Sequence, residues 1–309
     1  MRVMVTGGAG FIGSNLVDKL IDDKHDVVIV DNLSTGKKEN INQKATFINV
    51  DISDFKALTR ALNVENKSSD FDVVFHLAAK ARVQPSIDDP ISFNKVNVDG
   101  TLNLLKLCVQ NNVKRFVYSS SSSVYGNVKQ VPTTEEHNLN PLSPYALQKL
   151  IGEQYCKLFS ELHGLETVCL RYFNVYGERQ LLEGAYCLVI GKFIQQILNN
   201  EPMTIRGDGE QRRDFTYVGD VIKANIKAGF NVKLPIFPCK GDVFNIGNGD
   251  NRSVNQIADM IGGDSINVEP VIEPRQTLAD YSKASNIIDW QPTMKIENWI
   301  KEYKEVLGL

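Results

Sequence analysis

Short apolar runs alternate with amphipathic stretches through the first half of the chain. The runs Val27–Val30 and Val73–Phe75 are continuous, which is typical of strands buried on both faces of a parallel sheet. Strand–helix alternation of this kind indicates a doubly wound α/β domain. The pattern predicts strands at Arg2–Thr6, Asp26–Asp31, Thr46–Val50, Asp72–Leu77, Arg115–Ser120 and Glu166–Tyr172. It predicts helices at Phe11–Asp22, Phe55–Leu62, Ile91–Gln110, Tyr145–Leu162 and, after a less regular stretch, near Ile296–Val306.

Composition and charge exclude several classes of function. The 309 residues carry a formal net charge of −3, which lacks the strong attraction for phosphates of a nucleic-acid binder. The five cysteines and four histidines show no metal-ligand spacing, so we expect neither a metal site nor a disulfide framework. No apolar run approaches the roughly 18 residues of a membrane span. The first residues enter a strand without an apolar signal region, so we expect a cytoplasmic protein.

A glycine-rich turn follows the first predicted strand. The spacing Gly7-x-x-Gly10-x-x-Gly13 lies between that strand and an amphipathic helix, which is the setting a dinucleotide-binding turn requires. Glycine admits a diphosphate close to the backbone, and the helix N-terminus supplies free N–H groups. Asp31 ends the second predicted strand, where a carboxylate would accept the adenosine ribose hydroxyls and repel a 2′-phosphate. The pattern therefore favours NAD over NADP.

A tyrosine and a lysine four residues apart open a later helix. Ser143 is a plausible N-cap and Pro144 suits the first helical position, so Tyr145 and Lys149 share one face. A tyrosine is a poor base because its ordinary pKa is about 10. A nearby lysine and a positively charged nicotinamide ring would both favour the phenolate.

Together these segments resemble the extended short-chain dehydrogenase/reductase family, within its nucleotide-sugar epimerase/dehydratase group. The resemblance implies an α/β fold with a Rossmann-like doubly wound parallel sheet and a smaller interleaved α/β substrate domain. We assign residues 1–173 and about 215–247 to the first domain, and 174–214 and 248–309 to the second. The matching motifs, in order, are TGGAGFIGS from Thr6, DNLSTG from Asp31, HLAA from His76, VNVDGT from Val96, SSSSSVYG from Ser119, YALQK from Tyr145, RYFNVYG from Arg171, RGDGEQRRDFTYVGDV from Arg206 and TLADYSKA from Thr277.

The resemblance also implies roles for individual residues. Tyr145 would be the base at the sugar 4-hydroxyl, Ser121 would share its proton, and Lys149 would hold the nicotinamide ribose. His76 is expected to be a buried structural residue. The residues implied to bind NAD are Gly7, Gly10, Phe11, Ile12, Gly13, Asp31, Asn32, Leu33, Ser34, Thr35, Gly36, Asp51, Ile52, Leu77, Ala78, Ala79, Asn97, Ser119, Tyr145, Lys149 and Phe173. Those implied to bind the UDP-sugar are Ser121, Ser122, Ser123, Tyr145, Asn174, Val189, Thr204, Arg206, Arg213, Arg275 and Thr277.

The implied reaction is 4-epimerisation of a UDP-hexose through a transient 4-keto sugar. A 4,6-dehydratase needs an acid and a base near C5 and C6, and relatives of that type carry Asp-Glu where this chain has Ser122 and Ser123. A UDP-glucuronate decarboxylase is disfavoured because its usual glutamate at this site is absent. A non-catalytic NAD-responsive binding module is disfavoured by the intact Ser121, Tyr145 and Lys149.

Three further expectations depend on the resemblance. Thr277 stands where some relatives have a bulky aromatic residue, which favours UDP-GlcNAc/UDP-GalNAc, with UDP-Glc/UDP-Gal also open and a strict UDP-glucose 4-epimerase as the alternative. The stretch Glu273–Gln276 is shorter than its counterpart in relatives, and Arg275 is the candidate replacement for their diphosphate-binding arginine. Relatives commonly dimerise through the long helix and the Tyr145 helix, so we expect a homodimer.

Overall fold

A computed structural model of the chain describes residues 1–63, 70–182, 187–230, 239–270 and 274–309. Its strands are β1 (Arg2–Thr6), β2 (Asp26–Asp31), β3 (Thr46–Asn49), β4 (Val73–His76), β5 (Arg115–Ser121), β6 (Glu166–Tyr172), β7 (Val175–Tyr176), β8 (Met203–Arg206), β9 (Arg212–Asp214), β10 (Thr216–Tyr217), β11 (Lys240–Ile246), β12 (Asn251–Ser253) and β13 (Ser265–Val268). Its α-helices are α1 (Phe11–Asp22), α2 (Phe55–Asn63), α3 (Val83–Asp88), α4 (Pro90–Asn94), α5 (Gly100–Gln110), α6 (Pro144–His163), α7 (Val189–Leu198), α8 (Val218–Phe230), α9 (Val254–Ile261), α10 (Ser282–Ile288) and α11 (Ile296–Leu307).

Seven parallel strands form the main sheet, in the order β11-β6-β5-β4-β1-β2-β3. The predicted Rossmann-like doubly wound sheet is confirmed. The strand order reverses between β1 and β4, and ligands of such sheets bind beyond the carboxyl ends of the strands at this point. The glycine turn after β1, Asp31 at the end of β2 and the serine run at the end of β5 all lie at this edge.

Successive strand residues pack into different apolar clusters on the two faces of the sheet. Val3 and Val5 join one cluster with Leu16 of α1, whereas Met4 joins the other cluster with Leu104 of α5. Because both faces are covered by helices, β1 is buried from Val3 to Thr6 and β2 is buried from Val27 to Asp31. This explains why the apolar runs in the sequence are continuous.

The bounds of the predicted elements differ from the structure by no more than one residue at either end, with one exception inside a helix. The stretch predicted as one long helix, Ile91–Gln110, consists of α4, a π-helical turn at Lys95–Asp99, and α5. The predicted long helix is present, and the π turn inserts a residue without ending it. This turn contains Asn97, whose buried side chain lies beside the carboxyl edge of the sheet.

A third apolar cluster lies outside the main sheet. It joins α7, α9 and α11 around the large side chains Tyr176, Phe193 and Trp299. The chain reaches it after β6 and again after β11, which gives the interleaving expected from the sequence. Ala284 of α10 packs with the main sheet instead, and the residue bounds of the two domains remain a prediction. No helix in the described ranges is long and apolar enough to cross a membrane.

Candidate active site

Backbone hydrogen bonds hold the glycine turn, both within the turn and to β2. Gly7 N donates to Val30 O (2.8 Å) and Gly10 N donates to Gly7 O (3.1 Å). A Cβ on Gly7, which has φ +73°, would lie 2.6 Å from Ala78 N, and a Cβ on Gly13 would overlap the Gly7 carbonyl oxygen. Gly10 is the N-cap residue of α1, and the predicted contacts Phe11, Ile12 and Gly13 form the first turn of that helix. This cradle fits a dinucleotide diphosphate.

Asp31 ties the turn to the end of β2. Its buried carboxylate accepts hydrogen bonds from Ala9 N (3.0 Å) and Leu33 N (2.8 Å). Asn32 donates to Asp51 (Nδ2–Oδ2 3.1 Å), so two of the predicted adenosine contacts touch each other. Backbone N–H groups thus hold both carboxylate oxygens, and the contact of Asp31 with the adenosine ribose remains a prediction. The predicted loop residues that follow Asp31 are contiguous at this edge: Asn32, Leu33, Ser34, Thr35 and Gly36.

Hydrogen bonds from a buried amide fix the chain directly after β4. Asn97 Nδ2 donates to Lys80 O and to Gln148 Oε1 (both 2.9 Å), and Asn97 Oδ1 accepts from Lys80 N (2.9 Å). Asn97 therefore positions the end of the Leu77–Ala79 segment, and its predicted contact with the cofactor remains a prediction.

The predicted burial of His76 is confirmed. The ring lies between Thr6 Oγ1 (2.8 Å) and Thr101 Oγ1 (2.9 Å), where burial holds its pKa well below the ordinary value. His76 is thus neutral and is held by hydrogen bonds at the carboxyl edge of the sheet. Within the described ranges, no three His, Cys, Asp or Glu side chains are grouped as metal ligands.

Four predicted residues converge where β5 ends and α6 begins. The predicted helix start is confirmed, since Ser143 Oγ accepts from Ala146 N (3.2 Å) and Pro144 occupies the first turn. The Lys149 ammonium donates to the Ser119 carbonyl oxygen (2.7 Å) and lies 6.0 Å from the Tyr145 ring centroid. The Tyr145 phenol is hydrogen-bonded to the Ser121 side chain.

Burial and neighbouring groups shift the pKa values of this cluster in opposite directions. Burial lowers the pKa of Lys149 to about 8. Burial raises the pKa of Tyr145, while the Ser121 hydrogen bond and the positive charge of Arg82 lower it. Ser123 Oγ lies 2.9 Å from Ser121 Oγ, which extends the chain of hydroxyl groups away from the phenol. The cluster can therefore hold and relay a proton at Tyr145.

A buried ion pair between α6 and β6 contacts the serine run Ser119–Ser123 through Ser120. Arg171 donates to both carboxylate oxygens of Glu153 (2.9 and 2.7 Å), and each side chain is only 3% exposed. Glu153 also accepts from Ser120 Oγ, and Arg171 Nη1 donates to Tyr125 Oη (2.8 Å). No motif marks Glu153, because Glu153 lies on α6 and its partner Arg171 lies on β6.

Asn174 and Thr277, two of the predicted substrate contacts, lie next to each other. Asn174 Nδ2 donates to Asp214 O (3.0 Å) and lies 3.4 Å from Thr277 Oγ1, which also accepts from Asp214 N (3.1 Å). Phe173 is buried beside Ala279. The Thr277 hydroxyl is thus already used as an acceptor within the protein.

The other predicted substrate residues lie on α7, β8 and β9. Val189 opens α7, Thr204 Oγ1 accepts from Gln196 Nε2 (3.2 Å), and Arg206 is exposed at the end of β8. Arg213 Nη1 donates to its neighbour's carbonyl, Arg212 O (2.9 Å).

Arg275 is 62% exposed and makes a paired hydrogen bond with Asp208 (both 2.9 Å), while Glu273 lies outside the described residues. A role for Arg275 at the diphosphate remains a prediction. Its guanidinium would have to leave Asp208 in order to bind a second anion.

Arg82 belongs to none of the matching motifs. It precedes α3 with φ +91° and is half-buried beside Tyr145. The available signal was its place three positions after Ala79, but a positive φ at a non-glycine residue cannot be read from sequence.

The chain is similar to known proteins along most of its length. The model of the NAD dependent epimerase/dehydratase family matches residues 3–247. A Methanocaldococcus jannaschii protein, provisionally named a UDP-glucose 4-epimerase, is 43% identical over 307 residues, which are 97% of this chain and 96% of its own.

Two solved structures have the same fold over the whole chain. UDP-glucose 4-epimerase from Thermotoga maritima, solved with UDP-glucose, matches with a TM-score of 0.91 and 37% identity, covering 99% of this chain and 100% of its own. UDP-N-acetylglucosamine 4-epimerase from Methanobrevibacter ruminantium, solved with UDP-N-acetylmuramic acid, matches with a TM-score of 0.89 and 39% identity, covering 100% and 99%.

Proposed function

The chain belongs to the NAD-dependent epimerase/dehydratase family, and we propose that it interconverts the C4 epimers of a UDP-linked hexose. The observation that carries this proposal is the cluster of Tyr145, Ser121 and Lys149 at the edge of the sheet where the strand order reverses. A phenol with a hydroxyl neighbour and an ammonium nearby is suited to take a proton from an alcohol and return it.

The residues act in turn on the sugar. Tyr145 accepts the proton of the 4-hydroxyl with Ser121 as relay, and a 4-keto sugar results. Bound NAD supplies the redox chemistry, accepting hydride from C4 and returning it to the opposite face. Tyr145 then gives the proton back to the C4 oxygen. The glycine turn and Asp31 hold the cofactor, and Lys149 orients its ribose.

The serine run supports epimerisation over elimination. Ser122 and Ser123 have no acid or base strong enough to expel the C6 hydroxyl, and Ser123 Oγ is already paired with Ser121 Oγ. We propose UDP-GlcNAc/UDP-GalNAc as the preferred pair, since Thr277 is small, with UDP-Glc/UDP-Gal also accepted. The relatives described above include enzymes named for each kind of sugar.

Proton NMR of the NAD-loaded protein with UDP-Glc and UDP-GlcNAc in parallel tests the proposal. The wild type should form the C4 epimer of at least one sugar, and Tyr145→Phe should lose roughly 10²–10⁴-fold in rate. Tyr155→Phe, a matched change on the same helix, should keep its activity. Loss of the C6 oxygen from the product, or an active Tyr145→Phe, would refute it.

We also propose a homodimer formed through α4 and α6. Ile91 is 83% exposed, and Leu147, Leu158 and Leu162 form an exposed apolar stripe on one side of α6. Burying such a stripe against its own copy would remove apolar surface from water. Light scattering should give twice the chain mass for the wild type and a single chain mass for Leu158→Lys.

A further inference from the structure

Gln148 is a buried polar residue on the helix that carries the proposed base. It lies on α6 between Tyr145 and Lys149 and is only 3% exposed. Its Oε1 accepts a hydrogen bond from Asn97 Nδ2 (2.9 Å), and its Nε2 donates to Pro90 O (3.4 Å). An amide is costly to bury unless its oxygen and nitrogen are hydrogen-bonded, and both atoms are paired here. This side chain therefore joins α6 to α4 and to the π turn.

The Asn97 amide also holds the chain segment that follows β4. Asn97 Nδ2 donates to Lys80 O as well as to Gln148, and Asn97 Oδ1 accepts from Lys80 N (2.9 Å each). An amide nitrogen has two hydrogens to donate, so both are used in these bonds. Because Asn97 is only 1% exposed, loss of one bond would leave a buried N–H without a partner. The segment Leu77–Ala79, which is predicted to contact the cofactor, thus leads into a residue that shares the Asn97 amide with α6.

A second set of buried hydrogen bonds fixes the π turn itself. Thr101 Oγ1 donates to Asn97 O (2.6 Å) and lies 2.9 Å from His76 Nε2. A hydroxyl has one hydrogen to donate, so Thr101 Oγ1 accepts from His76 Nε2–H, and His76 Nδ1 accepts from Thr6 Oγ1 (2.8 Å). Thr6 directly precedes the glycine turn. The chain of hydrogen bonds therefore runs from the end of β1, through β4 and the π turn, to α6.

Other hydrogen bonds attach the start of α6 to different elements. Tyr145 N donates to Ser86 Oγ of α3 (3.1 Å), and Lys149 Nζ donates to Ser119 O of β5 (2.7 Å). Neither bond involves the segment directly after β4. The contact between Gln148 and Asn97 instead ties the helix to that segment, at a π turn of the kind that often marks a functional site.

We propose that Gln148 is a positioning residue, which holds the Asn97 amide and so sets the separation between the cofactor-binding segment after β4 and the Tyr145 phenol. The proposal rests on the proposed function, in which the sugar C4 lies between bound NAD and Tyr145. A displacement of about 1 Å between reacting groups can lower a rate by roughly 10²-fold. Loss of the Gln148 acceptor would free one Asn97 N–H and loosen the segment from α6, while the proposed sugar contacts on other elements stay in place.

Three substitutions at Gln148 and one control test this role. Gln148→Met keeps the length of the side chain and removes both hydrogen bonds, and Gln148→Asn keeps an amide that is one methylene too short to make both. Gln148→Glu keeps the oxygen that accepts from Asn97. The control, Thr167→Val, also removes a buried hydrogen bond to α6, which Thr167 Oγ1 donates to Cys156 O (2.8 Å). Thr167 lies near the start of β6, away from the carboxyl edge of the sheet.

The first readout is kcat and KM for the UDP-hexose that the wild type converts, at a temperature at which each variant is folded. The second is the affinity for NAD measured by calorimetry. Gln148→Met and Gln148→Asn should lower kcat and weaken NAD binding by about 10-fold each, with KM for the sugar changed by less than about twofold. Gln148→Glu should recover most of both losses. Thr167→Val should lower the melting temperature about as much as Gln148→Met, yet keep the wild-type kcat and NAD affinity.

Unchanged kcat in Gln148→Met, or losses equal to those of Thr167→Val, would overturn the proposal, because Gln148 would then only stabilise the fold. Equal losses in Gln148→Glu and Gln148→Met would also overturn it, since the bond to Asn97 would then not matter. Should Gln148→Met fail to fold, Gln148→Asn gives the same comparisons. A wild type that does not epimerise would refute the proposed function alone, because the affinity for NAD still tests Gln148.

Discussion

Removal of one partner from the buried ion pair should destabilise the protein strongly. In Arg171→Met, the Glu153 carboxylate loses two hydrogen bonds and its counter-charge while it remains 3% exposed. Breaking a buried pair on one side costs about 3–5 kcal/mol. Average unfolding entropies give a 309-residue chain roughly 0.65 kcal/mol per degree. The melting temperature should therefore fall by about 5–8 °C.

Denaturant unfolding and calorimetry of four proteins measure this effect. Arg171→Met is compared with the wild type, with Glu153→Met/Arg171→Met, and with Arg179→Met. The double variant should recover much of the loss, because no charge is left buried without a partner. Arg179 pairs with Asp18 at a half-exposed site, so its replacement should cost about 1 kcal/mol or less. If Arg171→Met is no less stable than Arg179→Met, or the double variant is as unstable as the single one, the reasoning fails.

Three further outcomes are expected. Gly13→Ala should abolish NAD binding measured by calorimetry, since its methyl group would overlap the Gly7 carbonyl, whereas Gly164→Ala, which meets no atom within 4 Å, should bind normally. Thr277→Val should lower the free energy of unfolding by about 1–3 kcal/mol through the lost acceptor for Asp214 N, and Thr277→Ser should not. Burial raises the pKa of Asp214 to about 7, so the folded state binds more protons than the unfolded state between about pH 4 and 7. The free energy of unfolding should therefore fall as pH rises through that window. Asp214→Asn should not show this pH dependence.

The sequence could predict those features that depend on local pattern. Continuous apolar runs such as Val27–Val30 identify buried parallel strands, because helices on both faces leave no polar side. The spacing of Gly7 and Gly13 identifies the tight turn, since a Cβ at either position meets backbone atoms. The π turn at Lys95–Asp99 was not predictable, because its apolar spacing resembles that of a regular helix.

Features that join distant parts of the chain had no such signal. Glu153 and Arg171 lie on α6 and β6, and Ser86 of α3 accepts a hydrogen bond from Tyr145 N at the start of α6. Each of these pairs is formed by the packing of two elements, and the spacing of the residues along the chain does not report that packing.

The position of a residue in a motif also does not determine which group its side chain binds. Asn97 and Thr277 both stand in motifs of the family, yet the Asn97 amide N–H groups donate to Lys80 O and Gln148 Oε1, and the Thr277 hydroxyl accepts from Asp214 N. A larger residue at Thr277 would therefore remove a hydrogen-bond acceptor as well as fill space. Thr277→Ser keeps the acceptor and makes the side chain smaller, whereas Thr277→Val removes the acceptor and keeps the size. Comparison of the two variants therefore separates the space available to the sugar from the hydrogen bond that Asp214 N donates.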